Sequence, residues 1–342
     1  SIEILPGGLK EWEPYLSSRG PFLYQEGNLG VPQKILYQAY LACVPRMKRS
    51  RSSRTTLDQT RALDLVHLTS VTLLANPAHY TALRQRKSLI EMSVLEAGKE
   101  LQFMDALLSV REACKQSVLW CYRRWLLRRI YGGTSASHNN ADDGFSQILL
   151  PLEAIQKELA VVSRACEIYP RNYFAWLHRH HCASVLVSSC GASTGDHCKA
   201  FVGSLLEEFR WARHWLELHV TDYSAADYLV KLPERVSAIT MDDEPSYAAL
   251  KREVDSLLAH SLSLAQSYPD HETVWMYMRL TLGQIRSSSS HNDDIRKFAV
   301  SIACAPSEGS VNDGRSVASN ARRFLDWMDR QTGHPQTWSW IV

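Results

Sequence analysis

The sequence predicts an all-α chain folded as an α-solenoid, a crescent-shaped superhelix of about five helical hairpins. Three observations predict it. Apolar residues recur at steps of three and four through most of the chain. Proline or polar turn residues close those runs at intervals. A Trp-centred pattern then recurs on the helix that follows each closure.

The chain has 342 residues, of which 45% are hydrophobic, enough for a sizeable core. It contains no run of 18 apolar residues, so no transmembrane helix is expected. The opening "SIEILPGGLKEWEP" lacks a basic n-region and an apolar h-region, so it does not read as a secretory signal. A cytoplasmic location is the expectation. Net charge is +2, from 38 basic and 36 acidic residues, which gives no global case for nucleic-acid or membrane binding. The eight cysteines contain no CxxC pair and read as reduced, mostly buried thiols.

Residues 1–61 read as a helical or irregular segment. Its basic, Ser-rich run "PRMKRSRSSR" (Pro45–Arg54) reads as a solvated loop able to touch an acidic partner. Strand-like alternation is scarce, and nothing reads as a β-hairpin.

Residues 62–285 carry the repeats. The first begins at Ala62, stops at Asn76–Pro77, and continues through Tyr80 to Arg86. The second ends in a helix bearing Trp120, Arg123 and Arg124. In the third, Leu152, Ile155, Leu159, Val162, Cys166 and Tyr169 form one apolar stripe. Pro170 closes that helix, since proline lacks an N–H and disfavours helix in the residue before it. Asn172 is an N-cap for the next helix, which carries Trp176, His180 and Ala183 on one face. The fourth copy, around Tyr223, is weaker. The fifth has Pro269, Asp270, Trp275 and Arg279.

Aligned on the Trp position, the slots are Leu83, Trp120, Trp176, Ala226 and Trp275, with gaps of 37, 56, 50 and 49 residues. Helical-hairpin repeats run at about 34 to 47 residues. The excess is assigned to polar insertions at Gly132–Gly144, Ser188–His197 and Thr240–Ser246. Residues 286–342 read as a loop and a helix.

Trp120, Trp176 and Trp275 are expected to be buried anchors of their hairpins. Arg86, Arg123 and Arg179 follow their slots by three residues. They could face a partner; more often such an arginine lies over its own Trp or pairs with a carboxylate of the next hairpin. The cluster His178, His180, His181 and Cys182, with Cys190, His197 and Cys198, raises a zinc reading. The repeat already explains its helix, and no metal is assigned to this chain. Gly-x-Ser-x-Gly, a P-loop and a Gly-rich dinucleotide turn are all missing, which argues against a self-sufficient enzyme. The final "WIV" is not a C-a-a-X signal.

"PRNYFAWLHRHH" and "CKQSVLWCYRRWLL" resemble the repeat of the protein prenyltransferase alpha subunit, roughly P-x-N-Y-x-x-W-x-x-R-x-x-L. "NPAHYTALRQRKSLI" and "PDHETVWMYMRLTL" match it in part, so the resemblance covers about Leu63 to Leu282. The earlier "YQEGNLGVP" is similar to the segment ahead of the repeats in the divergent repeat-containing branch.

The resemblance implies a crescent of hairpins that wraps a separate beta subunit as a heterodimer. That beta subunit would hold the catalytic zinc and most of the isoprenoid pocket. The implied reaction joins a farnesyl or, for this branch, a geranylgeranyl group to a protein cysteine, with loss of diphosphate. The resemblance places the alpha subunit's diphosphate-binding lysine at Lys115, in "KQSVLW". The family's Tyr in this motif is Ser117 here, and its Pro is Cys114. Arg171, Asn172 and Tyr173 match the third repeat's motif and are expected to face the diphosphate or the partner. Phe174 stands where farnesyl-type enzymes carry a His. Two other readings remain open: a repeat scaffold that has lost transferase partnership, and a tetratricopeptide-like adaptor.

Overall fold

The computed structural model describes residues 2–15, 20–52, 59–132, 145, 148–237, 239, 245–284, 289–305 and 313–332. The chain divides into two compact units, Ser1–Ser189 and Cys190–Val342. The division falls inside the repeat block, at the last turn of one helix.

The first unit opens with a feature the sequence reading missed. Strands β1 (Ile2–Leu5), β2 (Leu23–Gln25) and β3 (Asn28–Pro32) form a sheet of order β1-β3-β2. β1 runs parallel to β3, with Ile2 opposite Leu29, and β2 runs antiparallel to it, with Leu23 opposite Gly30. Glu26 and Gly27 make the connecting turn at φ 50 and 77, the two positive values of a tight hairpin. These strands are too short to show alternation, so "EG" was the only cue. Between β1 and β2 lies the single turn α1 (Leu9–Trp12).

α2 (Gln33–Ser52) also corrects the sequence reading. Pro45 lies inside it, so Pro45–Ser52 of the basic run is helix rather than loop; Ser53 and Arg54 lie outside the described residues. Proline costs a helix one backbone hydrogen bond. Here Leu36 and Met47 are buried on either side of it, and the helix packs along α3 (Gln59–Ala75).

The hairpins follow. α3 pairs with α4 (Tyr80–Glu91), which His79 caps by accepting from the Ala82 amide at 3.1 Å. α5 (Ala97–Leu108) pairs with α7 (Ser117–Tyr131) through the one-turn α6 (Arg111–Cys114). α8 (Leu152–Ile168) pairs with α9 (Tyr173–Gly191). The second unit holds α10 (Gly195–Leu218) against α11 (Tyr223–Val236), then α12 (Pro245–Asp255). α13 (Leu257–Ser267) pairs with α14 (Glu272–Gln284), and α15 (Ser289–Ala303) with α16 (Asp313–Thr332).

The fold is therefore the predicted all-α helical repeat, with the small sheet added. The expected insertion at 188–197 shrinks to 192–194, because α9 and α10 extend into it from both sides. The insertions at 132–144 and 240–246 fall almost wholly outside the described residues. The C-terminal segment contributes a helix pair rather than one helix. Phe298 and Phe324 of that pair pack on Trp275, with ring centroids 5.7 and 5.5 Å away.

The core follows the slots. Trp120, Trp176 and Trp275 are each 1% exposed, and the substitutes Leu83 and Ala226 are buried as well. The two repeats that lost Trp still pack, which fits the tolerance of cores for other apolar side chains. Five cysteines are buried, while Cys121 and Cys304 are exposed.

Candidate functional site

A recurring buried node fixes the repeats against one another. Arg86 grips Glu100 of the next hairpin with two charge-assisted hydrogen bonds of 2.7 and 2.5 Å. Arg123 grips Glu158 in the same way, at 2.6 and 2.7 Å, and also reaches Asp105 at 2.7 Å. Each glutamate takes a further partner from the residue two after its own repeat's slot. Tyr122 donates to Glu100 at 2.9 Å, His178 meets Glu158 at 2.9 Å, and Tyr228 donates to Glu208 at 2.5 Å. Burial alone would push the Glu158 carboxyl up, but Arg123 and His178 hold it well below its usual range. Burial drives His178 down, against the pull of Glu158. Arg86 and Arg123 thus each pair with a carboxylate of the next hairpin. Arg179 lies over its own Trp176, 5.8 Å from the ring centroid, and donates to Ser163 at 3.0 Å.

In the fourth repeat Leu229 occupies the arginine position. In the fifth, the buried acceptor is His260, whose Nδ1 meets the Tyr277 hydroxyl at 3.0 Å. A buried carboxylate without an arginine would be costly, and a neutral imidazole is not. The glutamates are what sequence reasoning missed. Their signal was a Glu on the apolar stripe of the first helix of a hairpin, as with Glu158 between Ile155 and Leu159.

Above these nodes lie the turns. The Trp120 indole donates to the Cys114 carbonyl at 2.7 Å, and the Trp275 indole donates to the Pro269 carbonyl at 2.8 Å. The Cys114 carbonyl accepts a second bond, from the side-chain amide of Asn172 at 2.8 Å. The other end of that amide caps α9, accepting from the Ala175 backbone at 3.2 Å. Asn172 is 1% exposed. Its N-cap role is as read from the sequence, but burial with both ends engaged removes it from any partner-facing surface.

Asn172 docks the third repeat's turn onto the second's, and Lys115 lies at that junction. Lys115 follows α6 as its C-cap rather than opening a helix. Its ammonium meets Glu112 at 2.6 Å and lies 5.8 Å from the Tyr169 ring centroid, with a side chain 34% exposed. Arg111 approaches the same ring at 5.8 Å. Arg171, on the docked turn, is exposed and adopts φ 59, a left-handed conformation that favours glycine. Tyr173 is 62% exposed at the start of α9. The structure therefore brings Lys115 and Arg111 to the Tyr169 ring, on a turn that Asn172 docks to the one carrying Arg171 and Tyr173. Lys115 could hold an anion there only by giving up Glu112.

The histidine–cysteine cluster disperses. His178 is occupied by Glu158. Cys190 and Cys198 lie with their sulfurs 2.9 Å apart, and burial lifts the Cys190 thiol to about 12. Among the described residues no three His, Cys, Asp or Glu side chains converge to hold a metal ion, and no helix is long and apolar enough to cross a membrane.

The family model for the protein prenyltransferase alpha subunit repeat matches residues 155–186, which span α8, the docked turn and most of α9. Protein prenyltransferase alpha subunit repeat-containing protein 1 of Danio rerio is 28% identical over 287 residues, covering 77% of this chain and 64% of that protein. The Homo sapiens protein of that name is 27% identical over 298 residues, covering 77% of this chain and 68% of its own length. Protein prenyltransferase alpha subunit repeat-containing protein 1-B of Xenopus laevis is 24% identical, covering 77% and 64%. The chain thus spans less than two thirds of the length of two of these relatives.

Proposed function

We infer that this chain, similar to the repeat-containing branch of the protein prenyltransferase alpha-subunit repeat family, is the alpha-type subunit of a heterodimeric protein prenyltransferase. The transferred group is assigned as geranylgeranyl, on the strength of the branch alone. The acceptors are cysteines of other proteins.

In this reading the beta subunit binds the repeats and carries the zinc, which would lower the pKa of the acceptor thiol. This chain's own part is electrostatic. As diphosphate departs, negative charge grows on it, and a preorganised cation there lowers the barrier. Lys115 supplies that cation. The observation that supports the reading is the Asn172–Cys114 bond, which docks the turn bearing Arg171 against the turn bearing Lys115. Glu112 holds Lys115 in the isolated chain and would yield it to diphosphate.

The test is transfer of a labelled isoprenoid by the complex of this chain with a beta subunit. Lys115→Ala is expected to lower kcat/KM by about tenfold to a hundredfold. An unchanged rate would remove Lys115 from the reaction and leave the subunit role to be judged by complex formation.

A second reading, a repeat scaffold without transferase partnership, is favoured by two observations. Ser117 replaces the motif's tyrosine, and Lys115 is already neutralised by Glu112 at 2.6 Å. It predicts no binding to any beta subunit.

A further inference from the structure

The transferase reading leaves one pair of side chains unused. Cys190, in the last turn of α9, and Cys198, in the first turn of α10, lie with their sulfurs 2.9 Å apart. Neither is in a disulfide. A disulfide holds its sulfurs about 2.05 Å apart, so the two atoms need close by less than about 1 Å. A zinc ion fits the pair less well. Two thiolates on one tetrahedral zinc, each at about 2.3 Å from it, stand about 3.8 Å from one another. Among the described residues no third ligand converges on them. Cys182 is two helical turns before Cys190, about 12 Å along the axis, and out of reach.

Both sulfurs are buried, but the turn that joins them is not. Cys190 is 0% exposed and Cys198 is 7% exposed. Every residue from 191 to 197 except Ser193 is exposed. A Cβ at Gly191 or Gly195 would meet nothing within 4 Å, so the turn has room to move. Thr194, at the N-cap of α10, makes no side-chain capping bond. A segment with few packed neighbours opens locally far more often than the whole chain unfolds. That opening is the route by which a small reagent meets the pair. Burial, and then the neighbouring Cys198 thiol, push the Cys190 thiol up to about 12. A thiol with so little thiolate attacks an outside reagent slowly, yet attacks a sulfur held beside it readily.

We propose that Cys190 and Cys198 are a site of reversible disulfide formation, with a small-molecule disulfide such as oxidised glutathione as the oxidant. The Cys198 thiolate attacks one sulfur of the reagent, the reagent's S–S bond breaks, and one glutathione thiolate leaves. The Cys190 thiolate then attacks the Cys198 sulfur, and the second glutathione thiolate leaves. The two cysteines give up two electrons and two protons, and the reagent takes both and ends as two thiols. Excess reduced glutathione runs the exchange backwards. The bond closes the turn between α9 and α10 into a ring and stops the opening that admitted the reagent. The proposal stands whether or not the chain acts in prenyl transfer.

The test equilibrates the full chain with mixtures of reduced and oxidised glutathione, blocks the remaining thiols with N-ethylmaleimide, and cuts the chain before Asp196. That cut separates the two cysteines unless a bond joins them. Mass spectrometry of the folded chain is expected to show the joined fragments at glutathione mixtures at least tenfold more reducing than the same chain requires in urea. Cys190→Ser is expected to collect a glutathione adduct on Cys198, while Cys198→Ser leaves Cys190 unmodified. Circular dichroism checks the fold of each variant, and mapping of the parent chain decides the matter if a variant fails to fold. The proposal is overturned if the folded chain yields no joined fragments at any mixture, or if the chain in urea forms the bond as readily. It is also overturned if Cys190 is found joined to Cys182, or if folded Cys190→Ser takes no glutathione on Cys198.

Discussion

The side-chain amide of Asn172 donates to the carbonyl oxygen of Cys114 at 2.8 Å, across 58 residues of sequence. One residue thereby caps its own helix and clamps the preceding repeat's turn, the turn on which Lys115 sits. Asn172→Ala should lose about 1–2 kcal/mol of stability, read by urea unfolding, from the cap and the clamp together. Lys115→Ala should change stability by less than about 0.5 kcal/mol, because its ion pair with Glu112 is part-exposed and screened by solvent. Equal losses in the two variants would argue against the clamp.

The Arg123–Glu158 pair is buried, and breaking it from one side leaves a charge without its counter-charge. Arg123→Met should cost about 3–5 kcal/mol. The double variant Arg123→Met, Glu158→Leu should cost clearly less than the two single losses summed. Simple additivity in urea melts would show that the pair is not a coupled unit.

Leu229 and His260 stand where the other repeats place an arginine and a glutamate, both changed together. Leu229→Arg alone should destabilise by burying a charge, and His260→Glu alone should do likewise. Combined, they should show a favourable coupling of about 1 kcal/mol or more in a double-mutant cycle. A coupling of zero would mean that the positions do not correspond to the Arg–Glu nodes.

Acid should act on the histidines first. His260 is held down at about 4, chiefly by burial and then by Arg213, against the pull of Glu217 and Glu253. Its unfolded counterpart takes up a proton near about 6.5, so falling pH favours the unfolded chain from there until it passes the folded value. Stability present at pH 7 is therefore lost progressively between those values, with His178 contributing in the same direction. Glu158, held low, adds its loss only at more acid pH, as its unfolded form begins to take up protons. Urea midpoints measured at intervals from pH 7 to 4 should fall, and His260→Gln should flatten that slope. A slope unchanged by the substitution would remove His260 from the account.

The parts of this fold that were legible share a cause. Pro170, Asn172 and Trp176 each act through local backbone chemistry or helical spacing, and those are written in consecutive residues. Trp120 and Trp275 were legible for the same reason. The sheet was not, because β1 pairs with β3 across 27 residues, Ile2 with Leu29, and three- to five-residue strands carry no period. Pro45 misled because tertiary packing of Leu36 and Met47 outweighs a local helix breaker. At the site, Lys115 was found through a motif, while Glu112 and Tyr169 as its neighbours depend on how the turns dock. A carboxylate in the next hairpin was one of the partners read for Arg86 and Arg123, but which carboxylate is a matter of helix pairing.

The central claim is that this chain is half of an enzyme, and complex formation tests it most directly. The purified chain would be mixed with each prenyltransferase beta subunit of its own cell and the mass of the product measured by light scattering. The account predicts a stable 1:1 heterodimer with one of them. A chain that remains separate from every beta subunit at micromolar concentration would contradict it.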